Sequence, residues 1–154
     1  MSNRALSPVV ATVLLLVVTL VVAGTIGAVA VHSLSLEAPK HAAIGVSASA
    51  TTNRVTFTHR AGESLDVDEL DIEISVNGEP LKEQPPVPFF SADGFRAGPT
   101  GPFNSAADST WSAGEVASLE LAGTNAPLLE SGDEIDVRIV ENETLIAEIE
   151  TTVR

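Results

Sequence analysis

The hydrophobic pattern divides the chain into two parts, and the first is a long segment without charge. From Leu6 to Val31 there are 26 consecutive uncharged residues. At about 1.5 Å per residue they make a helix of roughly 39 Å, longer than a hydrocarbon core of about 30 Å. A soluble helix would show a polar face, which this segment lacks, so the pattern predicts a helix that lies in lipid or at the centre of a helical assembly. We expect it to span residues 6–36, with Ser7 as N-cap and Pro8 in the first turn.

The second part, residues 37–154, is predicted to be an all-β head. Residues 44–48 and 54–58 alternate and flank Thr52-Asn53, as the strands of a hairpin do. Residues 70–76 alternate strictly and run into Asn77-Gly78, a strong type I′ turn signal. Further strands are predicted at 115–121, 135–140 and 145–153. Short strands at this spacing, about seven in all, predict a β-sandwich of the immunoglobulin-like kind, so the whole chain is expected to be α+β.

Charge is distributed as unequally as hydrophobicity. All 21 acidic residues and seven of the eight basic ones lie from Glu37 onward, so the head carries a net charge of −14 and the first 36 residues carry +1. A nucleic-acid partner is therefore not expected. Scattered carboxylates with few lysines are typical of proteins adapted to high salt, and an ordinary acidic extracellular protein is the alternative. The chain has no cysteine, so the head has no disulfides.

Three interpretations of the N-terminal segment remain open on the residues alone. It can be a plain membrane anchor, a secretory signal peptide, or a signal that is cut before the apolar stretch. Ala28-Val29-Ala30 is a small-x-small site at which signal peptidase would release a soluble head. The apolar stretch, however, is longer than the roughly 7 to 15 residues usual in such signals. Arg4 is the only charge before the span, which places the N-terminus in the cytoplasm and the head outside the cell.

The run Arg4-Ala5-Leu6-Ser7-Pro8-Val9-Val10, followed by an unbroken apolar helix, resembles the class III signal of archaeal type IV pilins, particularly haloarchaeal ones. The resemblance extends into the head, where it involves the stretch from His59 through Asn77-Gly78, the proline-rich segment 84–90 and the glycine- and proline-rich segment 98–103. Two features differ from related families. Val10 stands where bacterial type IV pilins usually have a glutamate, and the Gly-Ile-Gly start of archaellins is absent.

The resemblance implies a function and a set of partners. A prepilin peptidase would cut between Ala5 and Leu6, leaving residues 1–5 as the leader. The mature subunit would stay in the membrane as a single-pass protein and then join a surface filament for adhesion and cell contact. Its partners would be copies of itself or related pilins, the peptidase, a pilus assembly ATPase with its membrane platform, and membrane lipid. The alternative is a single-pass anchored or secreted extracellular binding domain, which would have the same head.

Small residues in the apolar segment are candidates for helix packing. Ala23/Gly27 and Gly24/Ala28 are two small-xxx-small pairs, a spacing that allows neighbouring helices to approach closely. Glycine is also common in membrane helices in general, so the pattern is equally compatible with no specific packing.

A long segment rich in proline, glycine and serine, residues 84–111, contains most of the aromatic residues. These are Phe89, Phe90, Phe95, Phe103 and Trp111. Loops of this length usually have a purpose. One hypothesis is that the aromatic residues form a contact surface for a neighbouring head or a solid surface. The alternative is that they cover one end of the sandwich as a lid.

Enzymatic chemistry is not expected, because the sequence has no nucleophile elbow, no zinc-binding helix motif and no phosphate-binding glycine loop. No cofactor is expected either. Residues 66–71 are acidic but lack the spacing and glycine of an EF-hand, so we interpret them as a hydrated edge rather than a calcium site.

Asn142-Glu143-Thr144 is a sequon in a predicted turn, which makes Asn142 a candidate glycosylation site.

Overall fold

The computed structural model describes residues 6–33 and 40–154. The chain forms two compact units, Met1–Ala38 and Pro39–Arg154, which we describe separately. The predicted boundary after Leu36 and the predicted leader, residues 1–5, lie outside the described residues. The coarse prediction is confirmed: the chain is α+β, with one N-terminal apolar helix followed by antiparallel sheets.

The first unit contains helix α1, Leu6–Ser33. Leu6 already has helical backbone, so Ser7 lies inside the first turn and does not cap the helix as expected. Pro8 lies in the first turn, as predicted, where its missing N–H leaves no hydrogen bond unmade. Residues 34–36 of the predicted helix lie outside the described range.

In residues 40–154, the described part of the second unit, the head has nine strands. They are β1 Ala42–Ser49, β2 Arg54–Gly62, β3 Leu65–Asp66, β4 Leu70–Val76, β5 Glu79–Pro80, β6 Thr110–Trp111, β7 Val116–Glu120, β8 Glu134–Glu141 and β9 Thr144–Thr152. They form a three-stranded sheet in the order β1-β2-β7, a four-stranded sheet in the order β5-β4-β8-β9, and the short pair β3-β6. All pairings between these strands are antiparallel.

Two tight turns fix the register of the four-stranded sheet. Asn77 and Gly78 have φ angles of 51° and 78°, the left-handed conformations that a type I′ turn requires. Asn142 and Glu143, with φ angles of 48° and 64°, make the equivalent turn between β8 and β9. The first turn was predicted in type as well as position. The second was predicted in position but not in type, because glutamate does not favour the positive φ that Glu143 adopts.

Apolar and polar residues alternate along the strands, so one face of each sheet is apolar. These two apolar faces pack together in one core. Val55 and Phe57 of β2 face this core from the three-stranded sheet, and Ile74 and Val137 face it from the four-stranded sheet, all at 1% exposure or less. Burying apolar area at about 25 cal/mol per Å² is therefore the main stabilising contribution in a head without disulfides.

The long segment between β5 and β6 closes this core with its aromatic side chains. Phe89, Phe95, Phe103 and Trp111 are each at most 6% exposed. The ring of Phe103 lies 5.1 Å from that of Phe57 and 5.2 Å from that of Trp111, both in edge-on geometry. The contact-surface hypothesis is therefore wrong for these four residues, because their rings are buried and a partner cannot reach them. Phe90, 61% exposed, is the one aromatic residue of the set that stays available to a partner.

We predict that substituting Phe89 and Phe95 together by alanine strongly destabilises the head, because the two rings pack against each other at 5.6 Å in the core. Each truncation should cost about 3 to 5 kcal/mol. Thermal unfolding of the detergent-solubilised full chain, followed by the fluorescence of the buried Trp111, measures the loss. Phe90→Ala is the matched control and should leave the unfolding temperature unchanged. An equal loss in both variants would contradict the assignment of Phe89 and Phe95 to the core.

Candidate interaction surfaces

The surface of α1 is the largest apolar feature of the described chain. Pro8–Ile26 has a mean hydropathy of 2.8 and is long and apolar enough to cross a membrane, as an anchor or as a signal sequence. Its large side chains are 49% to 69% exposed within the chain, from Val22 at the low end to Leu15 at the high end. Exposing an apolar surface of this size to water is energetically unfavourable, so lipid or other protein must cover it.

The three threonine side chains in the described part of α1 are satisfied within the helix itself. The hydroxyls of Thr12, Thr19 and Thr25 donate to the carbonyl oxygens of Val9, Leu15 and Val22 at 2.9, 2.6 and 2.9 Å. Because these hydroxyls need no outside partner, the helix can lie in lipid or among other apolar helices without leaving them unpaired. This property makes an exchange between the two environments energetically feasible.

The residues predicted for cleavage and helix packing are only partly described. Arg4 and Ala5 lie outside the described residues, and Leu6 is the first residue of α1. Ala23 and Gly24 are exposed on the helix, and a Cβ at Gly24 would meet no atom within 4 Å. Gly27 and Ala28 belong to the same helix, but their side-chain environment lies outside the description. The small surface at Ala23 and Gly24 is thus open to a partner.

A half-buried ion pair lies at the beginning of the described part of the head. The Nζ of Lys40 lies 2.8 Å from Oε1 of Glu141, a residue that is 4% exposed at the end of β8. The same carboxylate oxygen accepts a hydrogen bond from the backbone N–H of Asp66 at 2.8 Å. The hydrogen bond to Glu141 raises the pKa of Lys40 above 10.5, so the stability that this pair contributes is present below pH 10.5 and is lost only at more alkaline pH. Sequence reasoning missed Glu141, because an acid at the end of an alternating strand is usually exposed.

The acidic segment 66–71 has a structural role in the head. Asp66 Oδ1 accepts a hydrogen bond from the N–H of Asp68 and caps the 3-10 turn Val67–Glu69. Asp68, Glu69 and Asp71 are exposed, which agrees with the expected hydrated edge.

A different group of carboxylates lies closer together. Glu134 and Asp136 of β8 and Glu150 of β9 offer oxygen atoms within 4.8 Å of one another on one face of the sheet. Their spacing is compatible with a metal ion, but exposed carboxylates often cluster without one, so we assign them no metal role. The charge of Glu150 is the largest cause of a raised pKa at Glu134. The cluster is therefore a point of like-charge repulsion in the head.

The sequon residue Asn142 is exposed in the β8–β9 turn, where an enzyme can reach it. Its side-chain nitrogen donates a hydrogen bond to Oε2 of Glu69, and its backbone N–H donates to the carbonyl of Glu69. A glycan on Asn142 would replace one hydrogen of this amide. Glycosylation of Asn142 stays a prediction.

Compared with known proteins, the chain matches no family model and no curated protein sequence.

We predict that Glu134→Gln stabilises the head at pH 7, because it removes one charge from the carboxylate cluster. The raised pKa means that ionising Glu134 costs the folded state stability as pH rises from 4.5 through the folded-state pKa. The gain should vanish near pH 3, where Glu134 is protonated, and shrink at high salt. Thermal unfolding of the full chain at the two pH values measures it. Glu79→Gln, an exposed residue outside the cluster, is the control, and an equal gain in that variant would show that only net charge matters.

Proposed function

We propose that this protein is a pilin, the structural subunit of an archaeal type IV pilus-like filament for surface adhesion and cell contact. The observation that carries the proposal is the combination of a prepilin-like junction, Arg4-Ala5-Leu6, with a helix whose described surface is apolar on every side. A membrane anchor needs only the helix, whereas a filament subunit needs a helix that lipid and its own copies can both cover. The internally bonded threonines of α1 support this dual environment.

We also infer that the head is an immunoglobulin-like sandwich. Strands β1, β2 and β7 correspond in sequence and sheet order to strands A, B and E of that fold. Strands β5, β4, β8 and β9 correspond to C′, C, F and G. In the proposed filament the helices of many copies lie at the axis and the acidic heads face outward. Before assembly the subunit is a single-pass membrane protein with a cytoplasmic N-terminus.

The N-terminal residue of the mature protein tests the proposal, and mass spectrometry of the protein purified from cells identifies it. A mature chain that begins at Leu6 supports the pilin. An uncut Met1 would indicate a membrane anchor, and a start near Val31 would indicate a secreted domain. Either of these outcomes contradicts the proposal.

Two variants sharpen this test by blocking one cut each. Arg4→Gln combined with Ala5→Leu should abolish cleavage before Leu6 and, with it, the filaments seen by electron microscopy. Ala30→Leu changes the small-x-small site and is the matched control, which should leave both processing and filaments intact. Loss of processing in the control alone would instead favour the secreted domain.

A further inference from the structure

The outer surface of the three-stranded sheet carries a net positive charge in an otherwise acidic head. Arg54 and Arg60 of β2 alternate with the buried Val55, Phe57 and His59, so both arginines point away from the core. Gly45 on the neighbouring strand leaves room for the guanidinium of Arg60 to lie across β1.

Arg96 from the long segment joins this surface through Glu120. Its Nε lies 2.7 Å from one oxygen of Glu120, and Arg54 Nη2 lies 3.2 Å from the other. Three arginines and one glutamate give this surface, which we call the basic face, a net charge of +2.

The outer surface of the four-stranded sheet has the opposite sign. The inward residues of β4 and β8 are apolar, and the residues that alternate with them, together with their cross-strand partners on β9, point outward. The charged outward residues are Asp71, Glu73, Glu134, Asp136, Arg138, Glu148 and Glu150. Six carboxylates and one arginine give this surface, the acidic face, a net charge of −5.

We propose that neighbouring heads in the filament pack with the basic face of one copy against the acidic face of the next. This inference rests on the proposed pilin function and adds to it the orientation of the heads. The two faces belong to different sheets that share one core, so each copy presents one face of each sign.

Charge complementarity identifies a second copy as the partner. Heads with a net charge of −14 repel each other in most orientations, whereas this orientation brings opposite charges together. The contact is heterologous, since one copy uses one face and its neighbour uses the other, and such contacts repeat without closing into a pair. Exposed ion pairs contribute little affinity each, so the apolar helices supply the affinity and the two faces select the orientation.

Charge reversal in the full-length protein tests this contact. Arg60→Glu and Arg138→Glu each change the net charge by the same amount, the first on the basic face and the second on the acidic face. We expect Arg60→Glu to lower the ratio of filament to membrane-pool subunit about fivefold, because an attraction becomes a repulsion. Arg138→Glu should not lower the ratio, because it makes the acidic face more negative. Quantitative immunoblotting of sheared filaments and membranes measures both, and limited proteolysis of the membrane pool checks that each head is folded.

Cysteine cross-linking tests the same contact without changing its charge, because the native chain has no cysteine. Val116 and Leu145 are exposed on the outer surfaces of the three- and four-stranded sheets, on strands that do not neighbour each other within one head. In filaments treated with a flexible bismaleimide, the variant with both cysteines should give a ladder of multimers, and each single-cysteine variant should stay monomeric.

The outcomes separate this inference from the proposed function. Cross-links in a single-cysteine variant, no cross-links in filaments of the double variant, or equal loss of filaments in Arg60→Glu and Arg138→Glu would each overturn the packing of the two faces while leaving the pilin intact. If the unmodified chain forms no filament and keeps Met1, the proposed function itself fails.

Discussion

Burial of aromatic and aliphatic side chains in one core holds the two sheets of the head and its longest segment together. The ring of Phe103, from the long segment, contacts two other rings edge-on. These belong to Phe57 of β2 and Trp111 of β6. The imidazole of His59 lies 5.5 Å from the ring of Trp111, and its Nδ1–H donates a hydrogen bond to the carbonyl oxygen of Trp111. With no disulfide available and many carboxylates repelling one another, this packing must offset both chain entropy and charge.

How well the fold could be predicted depended on the kind of signal each segment carries. The strict alternation of residues 70–76 and the Asn77-Gly78 turn indicate a strand and a hairpin directly, because a half-buried strand and a type I′ turn both demand those residues. The two-residue strands β3 and β6 have no alternating pattern of their own and were not predicted from the sequence. Their pairing depends on long-range contacts.

The interaction surfaces were less predictable than the strands. The aromatic residues of the long segment have no regular spacing, so composition alone left a lid and a contact surface both open. The burial of Phe89, Phe95, Phe103 and Trp111 in the folded head distinguishes the two. The opposite charges of the two outer faces were hidden for a similar reason. Arg54 and Arg96 are distant in sequence, and it is the fold that brings both to Glu120.

The ion pair between Lys40 and Glu141 has a mechanical consequence. Any tension carried along the polypeptide from the helix reaches the described part of the head first at Lys40, two residues before β1. There the ammonium group is tied to the far end of β8, and the same carboxylate holds the backbone of Asp66. A pull on the chain is thereby shared with the four-stranded sheet before β1 is loaded, so the head resists being peeled open from its first strand.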